Sequence, residues 1–178
     1  MKNVLLLHAW FDTPQGHWYP WLKTELEKKG YTVNIPLLPT IDTGAPQLSA
    51  ALKEVKKLKV LNEETIVIGH SIGCLIGMRL AEKYKFKKLI LVAGWDFDDL
   101  QKEHLNFWKR KINHEKIKGN VNKIVVVTSD HDPYTTAAVA KEMSKRFGAE
   151  YVLVSGAGHF TESTSGGRKE FPELLKVI

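Results

Sequence analysis

Between residues 65 and 81 the chain passes from an apolar run, Thr65-Ile66-Val67-Ile68, through Gly69-His70-Ser71-Ile72-Gly73 into the helical pattern Cys74-Leu75-Ile76-Gly77-Met78-Arg79-Leu80-Ala81. A strand, a G-x-S-x-G turn and a helix in that order form a nucleophile elbow, in which a serine sits on a strained bend with its hydroxyl pushed out of a sheet. The glycines have a steric reason. Positions two before and two after the serine are crowded by neighbouring backbone, and a β-carbon at either would collide with it. The helix that begins beside Ser71 also turns its free N–H groups and positive dipole end toward an oxygen that becomes negative during acyl transfer. The bare pattern is a weak signal, since three fixed matches arise by chance in about one sequence in twenty of this size at average glycine and serine usage. Its weight comes from the strand-to-helix junction on which it falls, and from an acid and a histidine that follow in chain order.

Around this junction, strand-like runs alternate with helical patterns along the whole chain, which marks an α/β protein with a parallel sheet. Strands are expected at Val4–His8, Tyr31–Pro36, Thr65–Gly69, Lys88–Ala93, Lys123–Thr128 and Glu150–Val154. Most are near-continuous Val, Ile and Leu, as in strands covered by helices on both faces. Helices are expected at Trp18–Lys29, Ala45–Lys57, Cys74–Tyr84, Tyr134–Phe147 and Phe171–Val177. The stretch Asp96–Asn122 breaks the alternation, being polar, without clear periodicity and dotted with Phe97, Phe107 and Trp108. It reads as a loop with short helices over the carboxyl ends of the strands, a small cover rather than an inserted lid domain.

The 178 residues suffice for one domain, residues 1–178, with a core around a single central sheet. A hydrophobic fraction of 43% and a charged fraction of 26% are those of an ordinary globular protein, with no apolar run near the length of a membrane span. The opening Met1-Lys2-Asn3-Val4-Leu5-Leu6-Leu7 is too short an apolar stretch for an export signal and is interrupted by His8, so it reads as the first buried strand. With a lone cysteine, Cys74, disulfides play no part, and a reducing cytoplasm is the expected location. The net charge of +6 comes from lysines interleaved with acids throughout, without the aromatic or glycine patterns of a nucleic-acid module. Neither nucleic acid nor membrane is expected as a partner.

A serine hydroxyl is a poor nucleophile until a histidine accepts its proton, and the histidine needs an acid on its far side. His159 follows the last strand in a small-residue loop, Ser155-Gly156-Ala157-Gly158-His159, from which it can swing over the carboxyl edge of the sheet. Of the other histidines, His8 ends the first strand and is a candidate to line the site, as is His70 in the variable position of the elbow. His17, His104 and His114 fall in surface segments, and His131 lies between Asp130 and Asp132. For the acid, Asp132 is favoured over Asp130, because Asp-Pro leaves the carboxylate at the apex of the loop while Pro133 opens the next helix. Two backbone donors are needed for an oxyanion: the N–H of Ile72, directly after the nucleophile, and that of Trp10, in the loop after the first strand. Trp10 and Phe11 are placed to wall an acyl pocket, to which Trp95 and Phe160 are added as further lining. Trp18 and Trp21 read as core packing between the first helix and the sheet.

Taken together, these residues resemble the small α/β-hydrolases of the retinoblastoma-binding protein nine and YdeN type. The likeness covers essentially the whole chain: the loop around His8, the segment His17-Trp18-Tyr19 with Trp21, the elbow, the Asp132-Pro133 loop, and Gly158-His159-Phe160 followed by a polar loop and Phe171-Pro172-Glu173. The elbow is generic to α/β-hydrolases, whereas its combination with compact length and the His-Trp segment is more specific. The resemblance implies a minimal, lidless α/β-hydrolase fold with helices on both faces of six parallel strands in the order 2-1-3-4-5-6. It also implies a triad carried by Ser71, Asp132 and His159. No L-x-C-x-E stretch occurs, so a retinoblastoma-pocket partner is not implied.

The expected activity is therefore hydrolysis of carboxylic esters or related small acyl compounds through an acyl-enzyme, with no metal or organic cofactor. A binding or scaffolding protein on the same fold, and an acyltransferase or peptidase with the same triad, share these sequence features, because fold does not by itself fix function.

Overall fold

Six runs of Val, Ile and Leu form one parallel sheet in a computed structural model that describes residues 2–178: β1 (Asn3–Leu7), β2 (Thr32–Asn34), β3 (Ile66–His70), β4 (Phe86–Val92), β5 (Val121–Ser129) and β6 (Glu150–Val154). They lie in the order β2-β1-β3-β4-β5-β6 and all pair in parallel, as the sequence likeness implied. Parallel neighbours need crossovers, and five helices supply them: α1 (Tyr19–Lys28), α2 (Leu48–Lys57), α3 (Ile72–Ala81), α4 (His114–Asn120) and α5 (Ala137–Phe147); α6 (Pro172–Leu175) follows the last strand.

The alternation of side chains along each strand divides the core in two. Leu5 and Leu7, Val67, Leu89 and Leu91, Ile124 and Val126 face one way and pack with residues of α2, α3, α4 and α5. Val4 and Leu6, Ile66 and Ile68, Ile90 and Val92, Val125 and Val127 face the other way, onto α1 and α6. The result is three layers, α/β/α. No helix among the described residues is long and apolar enough to cross a membrane.

Several element boundaries differ from the expected ones by one to three residues, and three of these differences have a clear local reason. The second strand is cut to Thr32–Asn34 at the sheet edge, because the Tyr31 N–H turns back to the Leu26 carbonyl at 3.1 Å. Helix α2 starts at Leu48 rather than Ala45. The Gln47 N–H is drawn to Thr40 Oγ1 at 2.8 Å, and the Leu48 N–H is capped by Asn106 Oδ1 at 2.8 Å. Pro133 does not open α5. The Asp132 carboxylate takes the N–H groups of Tyr134 and Thr135, and the helix begins only at Ala137, where Thr136 Oγ1 accepts from Val139 N–H.

The stretch Asp96–Asn122 forms a 3-10 turn at Lys102–Phe107 and then α4. It is fastened from below. The buried guanidinium of Arg79 on α3 donates to the carbonyls of Phe107 (2.9 Å), Lys111 (3.2 Å) and Arg110, and to Glu82 at 2.9 Å. Asp96, also buried, accepts two bonds from Arg146 and one from His114.

Candidate active site

The elbow joins β3 to α3 with no spare residue, and its geometry follows from that shortage. Ser71 is held at φ 54°, ψ −120°, a conformation that costs a non-glycine residue about 1–3 kcal/mol and persists only where the surroundings enforce it. They do so here by crowding: a β-carbon on Gly69 would sit 2.6 Å from the Cys74 backbone, and one on Gly73 would sit 2.2 Å from the Leu7 carbonyl oxygen. The bend is stitched by Ser71 N–H to Val92 O and Cys74 N–H to Ser71 O, both 2.9 Å. Cys74 itself is buried and donates its S–H to the Gly69 carbonyl at 3.1 Å. Burial pushes its thiol far above the usual range, so it offers no thiolate.

Opposite the bend, the loop after β6 delivers His159. Its Nε2 lies 2.9 Å from Ser71 Oγ, and its Nδ1 lies 2.8 Å from Asp132 Oδ2 and 3.0 Å from Oδ1. A carboxylate only accepts, so Nδ1 carries the proton and Nε2 is free to accept from the serine O–H. Asp132 is fixed in turn. Its Oδ1 accepts Tyr134 N–H (2.8 Å) and Thr135 N–H (3.0 Å), and its Oδ2 accepts the Thr135 hydroxyl (2.8 Å). Burial pushes the Asp132 carboxyl up, but the hydrogen bond and electrostatic attraction of the His159 ring and the two backbone N–H groups outweigh it, leaving the group below its ordinary value. The competing Asp130 faces elsewhere. It accepts from Ser155 Oγ at 2.8 Å and Gly156 N–H at 2.7 Å, and so braces the loop that carries His159.

Ile72 is the first residue of α3, so its N–H has no partner within the helix. Among the described residues neither this N–H nor that of Trp10 is taken by another group. Both residues line a cavity of about 520 Å³ that opens over Ser71 and His159. Five aromatic side chains stand in its walls, Trp10 and Phe11, stacked 4.8 Å apart, with Trp95, Phe97 and Tyr134, beside polar groups that include Asp99, Gln101 and Thr161.

Of the expected pocket residues, Phe11 and Trp95 line this cavity, and three do not. His8 lies fully buried behind it, with Nδ1–H donating to the Ala9 carbonyl at 2.8 Å and Nε2 accepting Leu38 N–H at 3.0 Å. His70 points to the opposite side of the sheet from the cavity, between Tyr19 and the His159 carbonyl. Phe160 turns into the core and stacks on Phe171 at 4.7 Å. Conversely, His104 is not at the surface. It is buried in the cavity wall with Nδ1 2.7 Å from Asp99 Oδ2. Phe97, Asp99, Tyr134 and Val139 also line the cavity without having been singled out as pocket residues. The scattered aromatics of Asp96–Asn122 were the available signal, but Phe97 lies outside any helix or strand, where no periodicity shows which way it faces.

The family described as serine hydrolase matches residues 4–178, nearly the whole chain. The chain belongs to the serine hydrolase family. Within that family it is 29% identical over 170 residues to serine hydrolase RBBP9 of Rattus norvegicus, covering 94% of this chain and 87% of the rat protein. To the YdeN protein of Bacillus subtilis it is 27% identical over 187 residues, covering 99% and 94% of the two chains. The crystal structure of the ydeN gene product superposes with a TM-score of 0.88 at 26% identity, over 99% of this chain and 96% of that one. A more distant match, a carboxylesterase of the thaumarchaeon Nitrososphaera gargenis, has a TM-score of 0.72 at 14% identity, over 98% and 87% of the chains, and shows the shared fold alone.

Proposed function

We propose that this serine hydrolase cleaves carboxylic esters of small, uncharged acyl groups through an acyl-enzyme. The observation that carries the reading is the unbroken line from Ser71 Oγ through His159 Nε2 (2.9 Å) and Nδ1 to Asp132 Oδ2 (2.8 Å), at the floor of an open cavity. In the first half-reaction Ser71 Oγ bonds to the ester carbonyl carbon while its proton passes to His159 Nε2. The carbonyl oxygen becomes an oxyanion between the N–H groups of Ile72 and Trp10. Asp132 keeps the Nδ1–H in place and stabilises the imidazolium. When the tetrahedral adduct collapses, His159 gives the proton to the departing alkoxide, and the acyl group remains on Ser71. Water then repeats the sequence, losing its proton to His159 and displacing Ser71 Oγ, which takes that proton back.

The cavity walls favour an apolar acyl group, since aromatic faces pack well against hydrocarbon and no Lys or Arg side chain lines the space to neutralise an anion.

A fluorophosphonate probe tests the chemistry directly. The expected outcome is a stoichiometric adduct mapped by mass spectrometry to Ser71, absent in Ser71→Ala. Folded protein that takes up no probe would point instead to a binding role for the same cleft. A series of p-nitrophenyl esters then tests the acyl preference, with neutral chains expected to outrun a hemisuccinate of similar length.

A further inference from the structure

Three consecutive residues behind the site, His17, Trp18 and Tyr19, reach toward the loop that carries His159. His17 Nδ1 accepts Glu162 N–H at 3.2 Å, and Trp18 Nε1–H donates to the Phe160 carbonyl at 3.1 Å. Tyr19 reaches His159 itself, through His70. His70 Nε2 lies 2.8 Å from the His159 carbonyl oxygen. A carbonyl only accepts, so this nitrogen carries the ring proton, and Nδ1 is left to accept the Tyr19 O–H at 2.6 Å. The Tyr19 oxygen in turn accepts Ala9 N–H at 3.1 Å. Both side chains are completely buried. A single chain of hydrogen bonds, with every donor direction fixed, therefore runs from Ala9 N–H to the His159 carbonyl.

The two ends of this chain are the two loops whose separation acyl transfer needs held constant. Ala9 and Trp10 share a peptide unit. Its carbonyl is pinned by His8 Nδ1–H at 2.8 Å, and because the unit is planar and trans, pinning the C=O also aims the Trp10 N–H. His159 is on the other loop. No backbone ladder can tie them, since β1 and β6 are separated in the sheet by β3, β4 and β5.

We propose that Tyr19 and His70 are positioning residues that bridge the oxyanion-binding loop to the histidine loop beneath Ser71. The inference rests on the triad reading above. His70 occupies the variable position of the elbow, next to Ser71, yet neither it nor Tyr19 lines the cavity, so the bridge runs behind the site without touching substrate.

The decisive variant is Tyr19→Phe, which keeps the ring and deletes the one hydroxyl. It is compared with Trp18→Phe, which removes the neighbouring bond to Phe160 and leaves the hydrogen bonds of the bridge in place. On a p-nitrophenyl ester, Tyr19→Phe should lower kcat by about 10- to 100-fold with KM changed by less than about twofold, and should slow capture of Ser71 by fluorophosphonate to match. Trp18→Phe should lower kcat by less than about threefold at a comparable loss of Tm. A readout that needs no substrate is long-range ¹H–¹⁵N correlation of the imidazole rings, which should find His70 of the wild-type chain neutral and protonated on Nε2. Equal kcat losses in the two variants, a His70 protonated on Nδ1, or a Ser71 captured equally fast in wild type and Tyr19→Phe would overturn the bridge. A wild-type chain with the expected His70 tautomer but no capture at Ser71 would overturn the acyl-transfer reading, and with it the catalytic purpose of the bridge.

Discussion

His70 and Ser71 are neighbours in sequence, yet one is sealed from solvent and the other opens on a cavity, and the difference has a consequence for stability. Burial above all holds the His70 imidazole well below its ordinary value, and burial lowers that of His8 as well. Both are neutral in the fold. In the unfolded chain each takes up a proton as pH falls through about 6.5, so the unfolded state then binds more protons than the native one. Stability is therefore greatest above that pH and declines below it, by up to about 1.4 kcal/mol per pH unit for each histidine until the folded group itself titrates. Urea melts between pH 7.5 and 5 should show this decline, and His70→Gln should make it shallower by the share of one histidine; a flat profile in the wild-type chain would mean that neither histidine is held neutral in the fold. The same pair shows what a sequence tells at this scale. Ser71, Asp132 and His159 stood out because each sits in a loop at the carboxyl end of a strand, and chain order gave their sequence. His8, His70 and Phe160 were equally near strand ends but face away from the cavity. A position near a strand end says that a residue is close to the site, whereas the direction of its side chain depends on packing that no local pattern records.

At the scale of elements, the β3–α3 junction sets a steric limit that can be separated from helix preference. Gly73 and Gly77 both lie in α3. A β-carbon at Gly73 would meet the Leu7 carbonyl oxygen at 2.2 Å, a backbone atom of β1 that cannot move without disturbing the sheet, whereas one at Gly77 would meet the Leu89 side chain at 3.3 Å. Gly73→Ala should therefore cost about 3 kcal/mol, at the upper end for overpacking. Gly77→Ala should stay within about 1 kcal/mol of wild type, since better helix propensity offsets a small shift of Leu89. Thermal melts of the two variants measure the contrast, and equal losses would mean that α3 can slide from β1. Strands and helices were legible here because their apolar periods are long. Their ends were not, because α2 is capped by Asn106 from a remote segment and α5 is delayed by the turn that Asp132 builds.

Across the whole molecule, the cavity is assembled from five separate parts: the loop after β1, the elbow, the loop after β6, the residues around the start of α5, and the stretch from Trp95 to His104. The last has no strand of its own to hold it. Asp96 is tied to Arg146 and His114, and the segment that follows is held by Arg79, whose guanidinium lies almost wholly buried on α3 and satisfies three carbonyls between Phe107 and Lys111 while pairing with Glu82. Glu82 keeps other donors, Asn113 N–H at 3.0 Å and the half-exposed Arg110 at 2.5 Å. Arg79→Met keeps an apolar stem at this position and removes the guanidinium with its charge and donors. Its loss leaves buried carbonyls unpaired and a buried carboxylate with weaker compensation, a change that should cost about 3 kcal/mol or more. The damage should also be uneven. Ser71, His159 and Asp132 are held by contacts that do not involve this stretch, whereas Phe97, Asp99 and His104 are part of it. At temperatures where the variant is folded, fluorophosphonate capture of Ser71 should therefore stay within about threefold of wild type, while KM for a bulky acyl ester rises by about tenfold and KM for an acetyl ester changes little. A parallel rise in KM for both esters would mean that Trp95–His104 supports the whole site rather than the far wall of the acyl pocket.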